Sequence, residues 1–149
     1  MIVLWRSWKV QAERLACFTS LYSLTIEFTV QVPERNWDTQ YSSWSRVLIA
    51  LTSLPPTLDS LRIMILGDPI AFKSHFIKAE TVTPLADKVS RLTKLEQLHF
   101  VLELIPLYPR YEYLFRAQEL VDLIREAVPE LDEEGVLVID YHEMLKDPT

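Results

Sequence analysis

One spacing recurs three times in this chain and limits what the chain can fold into. Leu21, Leu24, Ile26 and Phe28 follow the order Leu-x-x-Leu-x-apolar-x-apolar. Leu58, Leu61, Ile63 and Ile65 repeat it, and so do Leu95, Leu98, Phe100 and Leu102, each copy beginning 37 residues after the last. Alternation with period two is how a strand buries one face and presents the other. The motif therefore predicts strands near 21–30, 58–66 and 95–104. A divergent fourth, near 136–141, alternates at Leu137, Ile139 and Tyr141 and follows Gly135; Leu137 comes 39 residues after Leu98. Ile2 and Leu4 suggest the remnant of a strand at the N-terminus.

Proline keeps the same phase. Pro33, Pro69 and Pro106 each come shortly after a predicted strand, and Pro55 and Pro129 each close the segment before one. Proline lacks the N–H that helices and sheets use, so its recurrence marks equivalent joints. Between the strands the apolar spacing changes to three and four. Trp44, Val47, Leu48, Leu51 and Leu54 form one helical stripe that Pro55 ends. Thr83 and Pro84 read as an N-cap and first helical residue, with Leu85, Val89 and Leu92 behind them. Leu114, Ala117, Leu120, Val121, Leu123 and Ile124 predict a helix over 112–127, followed by a solvated acidic turn at Glu130, Asp132, Glu133 and Glu134. A further helix is expected over 11–18. Residues 31–43, 67–82 and 103–111 are expected to be long strand-to-helix loops.

Two glycines stand against nine prolines, so tight hairpins, which need positive φ angles, are scarce. Strands joined through helices form a parallel sheet. A three-layer sandwich would require apolar residues on both strand faces. Here the second face is mixed: Thr25, Glu27 and Thr29; Arg62, Met64 and Leu66; His99, Val101 and Glu103; Val138 and Asp140. That face is expected to be exposed, at least over its first half.

The chain has 149 residues, one domain's worth, with 49% hydrophobic residues and a net charge of −6. No Lys or Arg stripe is present to release counterions from a nucleic-acid backbone, so no nucleic-acid partner is expected. Cys17 is the only cysteine, which leaves no internal disulfide and fits a cytoplasmic or nuclear protein. No apolar run reaches the roughly 18 residues of a membrane span, and the charged N-terminus does not read as a secretory signal.

Leu-x-x-Leu-x-Leu is the strand core of leucine-rich repeats, and the three copies resemble it. Together with Trp44 and the run Leu54-Pro55-Pro56-Thr57-Leu58-Asp59-Ser60-Leu61-Arg62-Ile63, the pattern is similar to the F-box/leucine-rich-repeat-like proteins of mushroom-forming fungi. The resemblance covers about 15–141. It implies an α/β, leucine-rich-repeat-like solenoid of about 37-residue repeats, with a parallel sheet on one side and helices on the other. It also implies the substrate-recognition part of an F-box-type ubiquitin ligase adaptor. The chain carries no F-box, and the asparagine that usually follows the strand leucines is absent, so other groups must link the turns.

Candidate sites follow from that architecture. The outward strand positions form two columns: Thr25, Arg62, His99 and Val138, then Glu27, Met64, Val101 and Asp140. Thr25, Glu27, Arg62, Met64, His99, Val101 and Asp140 are the expected partner-binding residues, with Met64, Leu66 and Val101 as an apolar patch. Trp37, Tyr41, Trp44, Tyr108, Tyr111, Tyr113 and Phe115 could serve as binding anchors, but more often such residues tie a loop to the helix layer. Asp140-Tyr141-His142-Glu143 has the residue types of a metal or acid–base site without three convergent ligands at paired spacing. No Gly-rich phosphate loop or Gly-x-Ser-x-Gly elbow occurs, and Gly67-Asp68-Pro69 does not supply one.

The sequence thus points to a single repeat domain over 1–149 that works as a protein–protein interaction module, with no enzyme activity and no cofactor or metal expected. Two other readings stay open. One is an incomplete solenoid fragment without independent function, which would self-associate through its uncapped ends. The other is a small-molecule enzyme on an open α/β sheet, with polar groups converging near Thr29, Gly67, Glu103 and Asp140.

Overall fold

A computed structural model describes residues 2–4, 21–30, 43–104 and 117–143. They form an α/β unit in the order β1 (Ile2–Leu4), β2 (Ser23–Val30), α1 (Ser43–Leu51), β3 (Ser60–Gly67), α2 (Pro69–Val82), α3 (Leu85–Val89), β4 (Gln97–Leu104), α4 (Ala117–Ala127), α5 (Pro129–Glu133) and β5 (Leu137–Glu143). The four long strands β2–β5 make a parallel sheet in chain order, and short β1 adds at the β2 edge.

The register places the alternating residues side by side. Leu24 pairs with Leu61 and Leu61 with Leu98, a step of 37 residues each time; Leu98 pairs with Leu137. The second, third and fourth leucine-motif positions therefore stack in columns, and Leu24, Ile26, Leu61, Ile63, Ile65, Leu98, Phe100 and Leu102 are all buried. The first leucine of each motif lies just before its strand, not in it. Leu58 is fully buried there, while Leu21 and Leu95 are partly so. At the N-terminal edge Val3, not Ile2 or Leu4, pairs with core residue Ile26.

Backbone groups link successive units where an asparagine was missing. The Tyr22 carbonyl accepts from Asp59 N (2.9 Å) and Ser60 N (3.1 Å), and the Asp59 carbonyl accepts from Glu96 N (2.7 Å) and Gln97 N (3.1 Å). The Thr57 hydroxyl adds a bond to the Leu21 carbonyl at 2.9 Å. The turns before β2, β3 and β4 are thus tied to one another by main chain, which any residue type can provide.

The helices close over the buried strand residues. Trp44, Val47, Leu48, Leu51 and Leu54, the stripe expected for α1, are all buried. Trp44 sits amid the rings of Phe28, Phe72, Phe76 and Phe100, with centroid distances of 5.5–6.3 Å. Such pairs add about 0.5–1.5 kcal/mol each beyond area burial. In α4, Leu120 and Ile124 are buried and Leu123 packs partly against the core.

Three expectations need correcting. Residues 67–82 are not a loop: Pro69–Val82 is a 14-residue helix. Asp68 caps it by accepting from Ala71 N at 3.0 Å, Pro69 takes a first-turn position, and Pro69, Phe72, Phe76 and Ala79 are buried. Ile70 and Ile77 on the exposed side blur that stripe in the sequence. Thr83 does not cap α3 but ends α2, its N–H bonding the Ala79 carbonyl at 2.7 Å. Glu80 Oε1 serves α3 instead, accepting from Leu85 N at 2.8 Å. Lastly, Pro129 opens the short helix α5 in the acidic stretch, where Glu130, Asp132, Glu133 and Glu134 are exposed as expected. The helix expected over 11–18, the segments 31–42 and 105–116, Cys17, Pro33 and Pro106 lie outside the described residues.

Candidate functional site

The face of the sheet opposite the core carries the residues singled out from sequence. Parallel strands about 4.8 Å apart hold side chains of one column next to each other. Thr25, Arg62, His99 and Val138 are register partners, and so are Glu27, Met64, Val101 and Asp140. A third column runs Thr29, Leu66, Glu103 and His142. All three columns lie on the same strand face because successive members along each strand are two residues apart.

Accessibility separates these residues. Arg62 and Asp140 are exposed; Thr25, Glu27, Met64 and His99 are half-buried. Val101, expected to be part of an exposed apolar patch, is only 1% exposed. It occupies the interior of the sheet, with Met64 and Asp140 beside it in register and His99 and Glu103 two residues away along β4. Met64 and Leu66 are half-buried, so the patch presents less apolar surface than residue type alone suggested.

The columns also bring together a pair that sequence reading did not join. His99 Nε2 lies 2.6 Å from Asp140 Oδ2. His99 is opposite Val138 and Asp140 opposite Val101, so the pair runs diagonally across β4 and β5, within reach of long side chains. Aligning Leu98 with Leu137 already puts His99 and Asp140 one column apart on one face; that diagonal was the available signal. His142 is exposed and faces Glu103 in register. The face therefore has Arg62 and His99 in one column, acids at Glu27 and Asp140 in the next, and Met64 between those acids. A partly apolar centre with a charged surround is the composition of protein interfaces.

Other candidates separate from this face. Trp44 is core, its indole N–H without a hydrogen-bond partner among the described residues. Trp37, Tyr41, Tyr108, Tyr111, Tyr113 and Phe115 lie outside the described residues. Of the residues named for a catalytic pocket, Thr29 is exposed, Gly67 packs against the Val30 backbone and Asp140 is held by His99. A groove present between α3 and the start of α5 contains none of them. Among the described residues no three His, Cys, Asp or Glu side chains are grouped to hold a metal ion, and no helix is long and apolar enough to cross a membrane. Comparisons with protein-family models, curated proteins and solved structures found no match.

Proposed function

We propose that this chain is a protein-interaction module of the leucine-rich-repeat-like solenoid type, whose outer sheet face holds a protein partner. Arg62 and Asp140 make the accessible polar contacts, with Thr25, Glu27, Met64 and His99 around them and Val101 supporting the surface from within. One observation carries the reading: strands in chain order align a polar and a mixed column on the face away from the core. A rigid sheet holds such side chains in place before binding, which lowers the entropy lost on association. The resemblance to F-box-type proteins adds the expectation that the partner is a ubiquitin-ligase substrate.

Affinity capture with charge-reversed variants tests the face. Arg62→Glu combined with Asp140→Lys should lose partners that the wild type retains, while Ile77→Asp on the exposed side of α2 should keep them. Equal retention by both variants would remove the sheet face from consideration.

A second reading, self-association through the sheet ends, is favoured by thinning of the core at β5. Leu137 is 8% exposed and Ile139 and Tyr141 are partly buried, against 0% for Leu61, Ile63, Leu98 and Phe100. Sedimentation should then show an oligomer that dissociates on dilution; a monomer at all concentrations ends this reading.

A further inference from the structure

The groove between α3 and α5 encloses about 310 Å³, at the small end of ligand-sized sites. Its floor is apolar: Val89 and Val128 are buried and Ala86 and Leu131 half-buried. Asp87 from α3 and Glu130 from α5 line the same groove and are exposed. Neither carboxylate is in an ion pair among the described residues, whereas Lys73, Arg125 and His99 are paired with Glu119, Asp132 and Asp140.

The α5 wall of the groove belongs to the acidic end of the chain. Residues 117–143 contain nine acids and a single base, Arg125. The whole chain has a net charge of −6, so the remainder is slightly positive and the acidity is concentrated here. A negative potential at a groove attracts a cationic ligand and repels phosphate-bearing or anionic surfaces. It also repels the same end of a second copy of the chain.

We propose that this groove docks a basic segment of a different protein. One apolar side chain of that segment fills the floor, and flanking Lys or Arg residues meet Asp87 and Glu130. Lys and Arg suit such a site because their apolar stems lie along hydrophobic surface while the charged heads stay at the rim. The site is independent of the sheet face: its residues come from helices, not from the strand columns.

The test is fluorescence anisotropy of a short labelled peptide with a central leucine between arginine pairs, titrated with the full chain. Binding should weaken as salt rises. Asp87→Asn with Glu130→Gln should weaken it about tenfold or more, the equivalent of about 1.4 kcal/mol. Glu133→Gln with Glu134→Gln removes the same charge outside the groove and should change affinity by no more than about twofold. Replacing the peptide leucine by serine should weaken binding, and Ala86→Trp, which fills the floor, should abolish it. Arg62→Glu on the sheet face should leave it intact. Absence of binding, equal loss from both charge pairs, or equal binding of the serine peptide would each overturn the proposal. The isosteric charge pairs keep the test decisive even if Ala86→Trp fails to fold.

Discussion

Gly67 ends β3 against the Val30 backbone of β2, one residue before the Asp68 cap of α2. Its φ is +121°, and a Cβ built there would lie 2.0 Å from the Val30 carbonyl oxygen. That same oxygen accepts from Asp68 N at 3.1 Å, so moving it to make room would break the bond that seats the turn into α2. Both the backbone conformation and the contact are closed to an L side chain. Gly67→Ala should destabilise the protein by about 3 kcal/mol or more, read as a shift of the urea midpoint. Gly135, with φ +73°, has nothing within 4 Å of such a Cβ, so Gly135→Ala should lose only the conformational part and serves as the comparison.

At the scale of elements, α2 and α3 are joined by a side chain and not by their own caps. Pro84 offers no side-chain cap to α3, and Glu80 reaches across to Leu85 N instead. Burial of Glu80 raises its pKa above 4.5; the Leu85 bond opposes this, and the nearby Asp87 carboxylate adds to it. A raised folded-state pKa means that this group's contribution is fully present below the unfolded value and is lost as pH rises through the folded one. Glu80→Gln keeps an oxygen acceptor for Leu85 N without a buried charge. Urea unfolding from about pH 4 to pH 7 should show the wild type losing stability relative to Glu80→Gln as pH increases from 4.5 upward. A constant difference across that range would assign Glu80 a purely structural role. The strands β2–β4 were legible in sequence because period two repeats with constant offset. Helix α2 was not: Ile70 and Ile77 add apolar residues to its exposed side, and Pro69, whose place after a strand suggests a break, opens the helix.

For the whole molecule, the two faces of the sheet have different mechanical roles. Leu61 and Leu98 are fully buried in the core, and truncation of either to Ala should destabilise by about 2–5 kcal/mol. Arg62, their neighbour on the opposite face, is exposed, and Arg62→Ala should stay within about 0.5 kcal/mol of wild type. Thermal or urea unfolding reads both; a large loss from Arg62→Ala would mean that the outer face is structural and not available to a partner. His99 differs from Arg62 despite sharing its column, since it holds Asp140 at 2.6 Å.

Apolar spacing carried the strands and the membership of the outward columns, because a period of two with offsets of 37, 37 and 39 residues aligns the neighbours, and the helical patterns between strands carried their parallel order. It could not show which column members are accessible. Val101 and Arg62 have equivalent places in the alternation, yet one is buried and the other exposed, a difference set by side-chain neighbours in three dimensions. The same holds for the His99–Asp140 pair and for the groove of Asp87 and Glu130, whose partners are about 40 residues apart in the chain. The 37-residue step of the leucine motif was written in the sequence, as a repeated local pattern must be. The links between its copies, carried by the Tyr22 and Asp59 carbonyls, were decided only by the tertiary structure, because every residue has a carbonyl and only folding selects which one is used.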